Sequence, residues 1–192
     1  MSVVRARLAC MEIDSRESLV KALAAGTSVK YLHFWGHTPR KDGSIGAGCL
    51  SQWWPSPFTV AGVEYATAEH WMMAQKARLF GDPEAERRAI AAGHPAEAKK
   101  AGRLVRGFDG EVWERERFGV VVEGSVHKFA ADPGLREFLV STGERVLVEA
   151  SPMDQVWGIG LAADDAGAAD PEAWRGLNLL GFALMAARER LR

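Results

Sequence analysis

The hydrophobic positions of this chain change period near residue 66, and the change separates an early part with short strands from a later part built of helices. Val29-Lys30-Tyr31-Leu32-His33-Phe34-Trp35 alternates loosely and reads as a strand, Gly36 to Gly48 as a loop, and Phe58 to Tyr65 as a short hairpin turning near Ala61-Gly62. From Thr67 the spacing becomes helical. Thr67 caps a helix through Leu79, and Gly81-Asp82-Pro83 ends it and starts the next, with Asp82 as N-cap and Pro83 in the first helical position. Gly93-His94-Pro95 separates a second helix from a third, and Gly107 to Gly110 makes a loop before a long helix from Glu111 to Ala131. The stripe Phe118, Val121, Val122, Ser125, Val126, Phe129 on that helix keeps a three-to-four spacing and should face the core.

Asp132-Pro133 starts another helix, closed by Thr142-Gly143, and Arg145 to Ala150 reads as a strand. Leu161 to Trp174, rich in Ala, Asp and Gly, reads as a solvent loop. Leu177, Leu180, Leu184, Ala187 and Leu191 form the stripe of a terminal helix, with Arg188, Arg190 and Arg192 near its C-terminal end, where positive charge is favoured. Residues 1–28 read as a peripheral leader with a short helix over Ser15 to Ala25, and residues 29–192 as one domain. The fold class predicted is α+β: a compact, mostly helical single domain with short strands.

Composition agrees with a single soluble unit. A chain of 192 residues buries roughly 70% of its unfolded surface and needs no staple. Its hydrophobic fraction of 47% and charged fraction of 26% are ordinary, but 7 Trp is high for this length and suits stacking on a ligand as well as core packing. A net charge of −1 offers no general field for polyanions, so any nucleic-acid contact has to be local. The 2 cysteines, Cys10 and Cys49, point to a reducing compartment. Arg5 and Arg7 are not followed by an apolar run of signal-peptide or membrane-spanning length, so a cytoplasmic protein without a membrane partner is expected.

Three constellations carry candidate chemistry. Glu69 lies in the first turn of the Thr67 helix, beside the aromatic stretch Trp53-Trp54-Pro55-Ser56-Pro57-Phe58; it serves either the helix dipole or a pocket as base or cation stabiliser. His70 beside it suits a packed histidine. Lys76, two turns on along the same face, is either solvated or a phosphate ligand. Asp154, Trp157, Gly158 and Gly160 form the second group, where alternate glycines let backbone approach a ligand or simply make a turn, and a carboxylate sits beside an aromatic wall. Arg103, Trp113 and Lys128 form the third, two cations for phosphate and an indole for a base, against the alternative of solvated helix faces and core. His33 and His37 have metal-like spacing only on a helix, which Gly36 and Pro39 oppose, and neither cysteine has the motif of a thiol nucleophile. No metal or cofactor is expected.

Taken jointly, Ser51-Gln52-Trp53-Trp54-Pro55-Ser56-Pro57-Phe58, Thr67-Ala68-Glu69-His70, Gln75-Lys76-Ala77, Gly102-Arg103, Trp113, Lys128-Phe129, Asp154 to Gly160 and Asn178-Leu179-Leu180-Gly181 resemble the NADAR family of YbiA-like proteins, from about Tyr31 to the C-terminus. The resemblance implies a mostly helical α+β fold and N-glycosidase activity, either on phosphoribosylamino-pyrimidine intermediates of riboflavin biosynthesis or, as an antitoxin, on ADP-ribosylated guanine in DNA. Glu69, Trp113, Asp154 and Trp157 match the family positions that line the site; Glu69 and Asp154 are the expected catalytic residues, and Trp113, Trp157, Gly158, Gly160, Lys76, Arg103, Lys128 and Asn178 the expected substrate-binding residues. The leader, the Lys41 to Gly48 loop and the Ala-Asp loop before Trp174 depart from the shortest members and bear on substrate more than on chemistry.

That chemistry suits these residue types. Breaking a ribosyl C–N bond builds positive charge on the sugar, which a carboxylate stabilises more in the transition state than in the ground state. The partners expected are a small ribosyl nucleotide or ADP-ribose, with ADP-ribosylated DNA as the second candidate. A non-catalytic NAD or ADP-ribose binding module is the rival; Glu69 and Asp154 argue against it, because a dianionic ligand does not call for added carboxylates. Oligomeric state is not legible.

Overall fold

The computed structural model describes residues 13–192; Arg5, Arg7 and Cys10 lie outside the described residues. The elements follow in the order α1 (Arg16–Ala24), β1 (Tyr31–Phe34), β2 (Phe58–Val60), β3 (Val63–Tyr65), α2 (Ala68–Leu79), α3 (Pro83–Ile90), α4 (Pro95–Arg103), α5 (Gly110–Ala131), α6 (Pro133–Ser141), β4 (Val146–Glu149) and α7 (Leu179–Leu191). The α+β architecture matches expectation, and so do the punctuating residues. Asp82 caps α3 by accepting from Ala85 N, Asp109 caps α5, Asp132 caps α6, and a proline opens each of α3, α4 and α6. The β2–β3 hairpin turns at Ala61-Gly62, both at positive φ, as a two-residue turn of matching twist requires.

Strands β1 and β4 pair in parallel, Tyr31 opposite Val146 through Phe34 opposite Glu149. A parallel pair needs a crossover, and here it consists of everything from the hairpin to α6. Helix α5 packs on α2, α6 and α7 over the larger core cluster, which includes Phe34, Trp54, Phe58, Trp71, Phe129 and Leu184. The expected α5 stripe is inward, with Val121, Val122, Ser125 and Phe129 buried. Both strands end at the same side of the molecule. Their carboxyl ends lead into Trp35-Gly36-His37 and Ser151 to Trp157, so two loops from distant parts of the chain meet there.

Four local expectations are corrected. The peripheral reading of the α1 region fails for Leu19, which is fully buried with Val146, Val148, Ile159 and Phe182 in a second cluster; Ala22 on the same helix is buried too. The solvent loop over Leu161 to Trp174 is likewise anchored: Leu161, Ala168 and Trp174 are buried, Trp174 donates to Ala168 O at 2.9 Å, and Arg16 donates from α1 to Pro171 O and Glu172 O. Its Ala, Gly and Asp composition hides three apolar anchors. Leu177 precedes the terminal helix and is exposed; Arg188, in the last turn as expected, is buried, donating to Thr142 Oγ1 and Arg145 O. Finally, Thr67 occupies the N-cap of α2 without capping it, because its hydroxyl bonds His70 Nδ1 at 2.8 Å instead.

Candidate active site

The missing cap of α2 is supplied by the aromatic loop. Glu69 N donates to Gln52 O at 3.0 Å, which satisfies one of the free amides of the first turn and fixes the Trp53 loop against the helix start. Lys128 pins the same loop from behind, its Nζ donating to Cys49 O at 2.6 Å and Ser51 O at 2.7 Å. The Trp53 ring then stands between His37 and His94, at 5.8 and 5.7 Å between ring centroids. His70 is held as a neutral ring between Thr67 and Ala92 O, and burial lowers its pKa, which agrees with the packed role.

The opposite wall grows from β4. Asn178, in the left-handed region at φ 55°, sets its side chain along the free edge of the strand: Nδ2 donates to Leu147 O and Oδ1 accepts from Glu149 N, both at 2.9 Å. Glu149 O accepts from Ile159 N, so the main chain of Glu149 is held on both sides. Asp154 Oδ1 accepts from Val156 N and Trp157 N at 2.8 Å each, an Asx turn that orients the Trp157 segment.

Between these walls lies a cleft of about 490 Å³ lined by Glu69, Glu149, Asp154, Lys99, Trp53 and Trp157, with Trp35 and Met153 exposed at its rim. Three carboxyl groups share it with one lysine. Glu69 is 3% exposed and its Oε1 has no hydrogen-bond partner; burial pushes its pKa up to about 7, against the opposing pull of Lys99 and of the Trp53 side chain. Glu149 Oε2 is also buried without a partner, and burial together with the Asp154 and Glu69 charges raises its pKa to about 8. Buried polar atoms are nearly always bonded, so two orphaned carboxyl oxygens in one cleft mark a place built for something else. A second cavity, about 560 Å³ between α1 and the segment before α7, lies against Arg16, Lys21 and Glu172 and holds no such group.

The sequence candidates are thus divided. Glu69, Asp154 and Trp157 meet in the cleft. Lys76 and Trp113 lie to one side: Lys76 Nζ sits 4.1 Å over the Phe108 ring and 5.5 Å from that of Trp113, and the nearby Arg103 charge helps to lower the Lys76 pKa after burial. Arg103 is exposed and also acts on Glu69. Lys128 and Asn178 are corrected as ligand contacts, since both are buried and bonded to main chain, where they position the walls. Gly158 and Gly160 are corrected too. A side chain at Gly158 would meet Glu149 O at 2.8 Å, and Gly160, at φ 68°, faces Arg175 and Gln155, so both glycines serve close packing of the protein's own backbone. Glu149 and Lys99 were missed. Glu149 carried a signal, an acid closing the apolar run Val146-Leu147-Val148, whereas Lys99 beside Lys100 reads as an ordinary solvated face.

Carboxyls with unpartnered oxygens between indole walls, at the ends of two parallel strands, make this cleft the candidate active site. The family model described as the NADAR domain matches residues 33–192. N-glycosidase R617 of Acanthamoeba polyphaga mimivirus is 39% identical over 165 residues, covering 83% of this chain and 95% of that protein. The maize protein named Riboflavin biosynthesis protein PYRR, chloroplastic, is 34% identical over 134 residues, 66% of this chain and 20% of that one. The NMR structure of the E. coli protein YbiA superposes with a TM-score of 0.66 at 25% identity, covering 86% of each chain. The chain belongs to the NADAR family.

Proposed function

We propose that the cleft cleaves the C1′–N bond between a ribosyl group and a base, acting on phosphoribosylamino-pyrimidine intermediates of riboflavin biosynthesis. The enzyme class is a hydrolase of N-glycosyl bonds, as in the viral N-glycosidase relative. The observation that carries the reading is Glu69, a buried carboxylate with an unpartnered oxygen in a cleft walled by Trp53 and Trp157. As the C1′–N bond lengthens, positive charge grows on C1′ and the ring oxygen. A fixed carboxylate in a water-poor cleft stabilises that charge more in the transition state than in the bound substrate.

The other roles follow from what each side chain has left to offer. Trp53 and Trp157 hold the flat heterocycle and the sugar face. Asp154, whose Oδ1 is committed to two main-chain amides, offers its second oxygen as base to the incoming water. Lys76 and Arg103, beside the cleft, suit the phosphate, and the riboflavin name of the maize relative agrees with that substrate. A binding module with no chemistry is the weaker reading, since binding alone does not call for carboxyl oxygens buried without partners in the cleft.

One observation favours a second substrate, ADP-ribosylated guanine in DNA: the exposed Phe108 with Lys76, Trp113 and Arg103 makes a cationic and aromatic surface beyond the cleft. The two substrates separate by salt. A nucleotide-sized metabolite neutralises one or two phosphates and depends weakly on salt, whereas single-stranded DNA releases counterions with a log–log slope of about −0.7 per phosphate contacted. We expect kcat/KM, assayed as free ribosyl product, to favour the pyrimidine nucleotide with the shallow slope. Preference for modified DNA with a steep slope reverses the substrate assignment, and hydrolysis of neither sinks the reading.

A further inference from the structure

Resting on the N-glycosidase reading of the cleft, we propose that Glu149 is the proton donor to the departing base nitrogen. Its backbone is fixed on both sides, by Asn178 Oδ1 at the amide and Ile159 N at the carbonyl, so the side chain springs from a rigid point at the end of β4, where the strand opposite ends in Phe34. Its carboxyl lines the cleft with Oε2 buried and bonded to nothing. An ionised carboxylate there would have no hydrogen-bond donor on that buried oxygen, which makes its charge costly. A protonated one needs only a single acceptor, which the nitrogen of a bound base provides.

Charge counting identifies which carboxyl holds the proton. The groups around Glu149 are Glu69 on α2, Lys99 on α4, Asp154 on the loop after β4 and His37 on the loop after β1. Three acids beside one lysine favour uptake of one proton. Asp154 accepts two main-chain amides on one oxygen. The Glu69 anion is supported by Lys99, the Trp53 side chain and Arg103 against Asp154, whereas that of Glu149 has Lys99 alone against both Asp154 and Glu69. The proton therefore rests on Glu149, and the separation of the two environments assigns acid and anion.

The step balances. The C1′–N bond breaks with its electron pair on nitrogen, and the Glu149 proton joins that pair. A water oxygen bonds to C1′ and its proton passes to Asp154. Exchange with solvent then moves one proton from Asp154 and restores one to Glu149, leaving the phosphorylated ribose and the neutral base.

The test is Glu149→Gln in the full chain, which imitates the protonated acid in shape and charge, so the melting temperature at neutral pH should hold or rise. Turnover of the phosphoribosylamino-pyrimidine should fall about 10²–10⁴-fold, the usual scale of general acid catalysis. The loss of kcat in the native protein as pH rises through about 8 should vanish in the variant. In a Glu69→Gln background, which removes the other carboxyl with a raised pKa, infrared spectra of the free protein at neutral pH should contain a protonated-carboxyl band that Glu149→Gln removes and Asp154→Asn leaves in place. Turnover within threefold of native, an unchanged alkaline limb, or a band surviving Glu149→Gln overturns the proposal. The infrared result stands whatever substrate is cleaved, so failure of the glycosidase reading is distinguishable: no ribosyl substrate is then hydrolysed although the band behaves as expected.

Discussion

The buried polar groups of this molecule are of two kinds, and only one kind is finished. Lys128 and Asn178 are as deeply buried as any leucine, yet their side chains are bonded to main chain, to Cys49 O and Ser51 O in one case and to Leu147 O and Glu149 N in the other. Glu69 is buried and Glu149 half-buried, each with one buried oxygen left over. Burial by itself therefore says little about function. Bonded groups build the frame, and the orphaned ones are held by that frame at a cost in stability, a cost retained where the chemistry uses it.

The largest effect expected is on catalysis. Glu69→Gln should lower turnover by about 10²–10⁴-fold with the melting temperature unchanged or higher, because it removes a desolvated charge without removing a packing contact. A loss below threefold would leave Glu69 as a helix-dipole residue and dissolve the contrast. From the other side, Lys128→Met should destabilise the fold by about 2–4 kcal/mol in urea titrations, since it strands two buried carbonyls. If the variant is as stable as the native protein, Lys128 belongs with the unfinished group after all.

Trp157→Ala should weaken ligand binding by about 1–3 kcal/mol, the scale of stacking on a base, while Asp154→Asn, which retains the Oδ1 acceptor, should slow the chemical step with little change in binding. Calorimetric affinity and single-turnover rates separate the two; equal effects on stability alone would make that loop structural. The smallest effect concerns pH. Glu69 and Glu149 have folded pKa values of about 7 and about 8, above their ordinary 4.5, so the folded state binds more protons than the unfolded one between those values. Their contribution is complete below about pH 4.5 and is lost as pH rises through 7 to 8. His70, whose pKa is lowered by burial, acts in the opposite sense. The difference in melting temperature between native protein and the Glu69→Gln, Glu149→Gln double variant should thus shift in favour of the variant from pH 5 to pH 8; a flat difference curve contradicts the two raised values.

Periodicity and local caps were enough to read the helices. Asp82, Asp109 and Asp132 sit at the N-caps of α3, α5 and α6, and three prolines open helices, because a cap is settled within four residues of chain. Joint motifs marked Glu69, Asp154 and Trp157 as candidates, and the structure gathers all three in one cleft. The sequence also determined the α+β class and the hairpin at Ala61-Gly62. It did not distinguish Lys128 from a phosphate ligand, nor find Glu149 and Lys99. Those assignments depend on partners far along the chain: Cys49 lies 79 residues from Lys128, and Glu149 lies 29 from the Asn178 that fixes it. Whether a buried charge is satisfied or left open is a property of the space around it, and that space exists only once the two strands and five helices between them have packed.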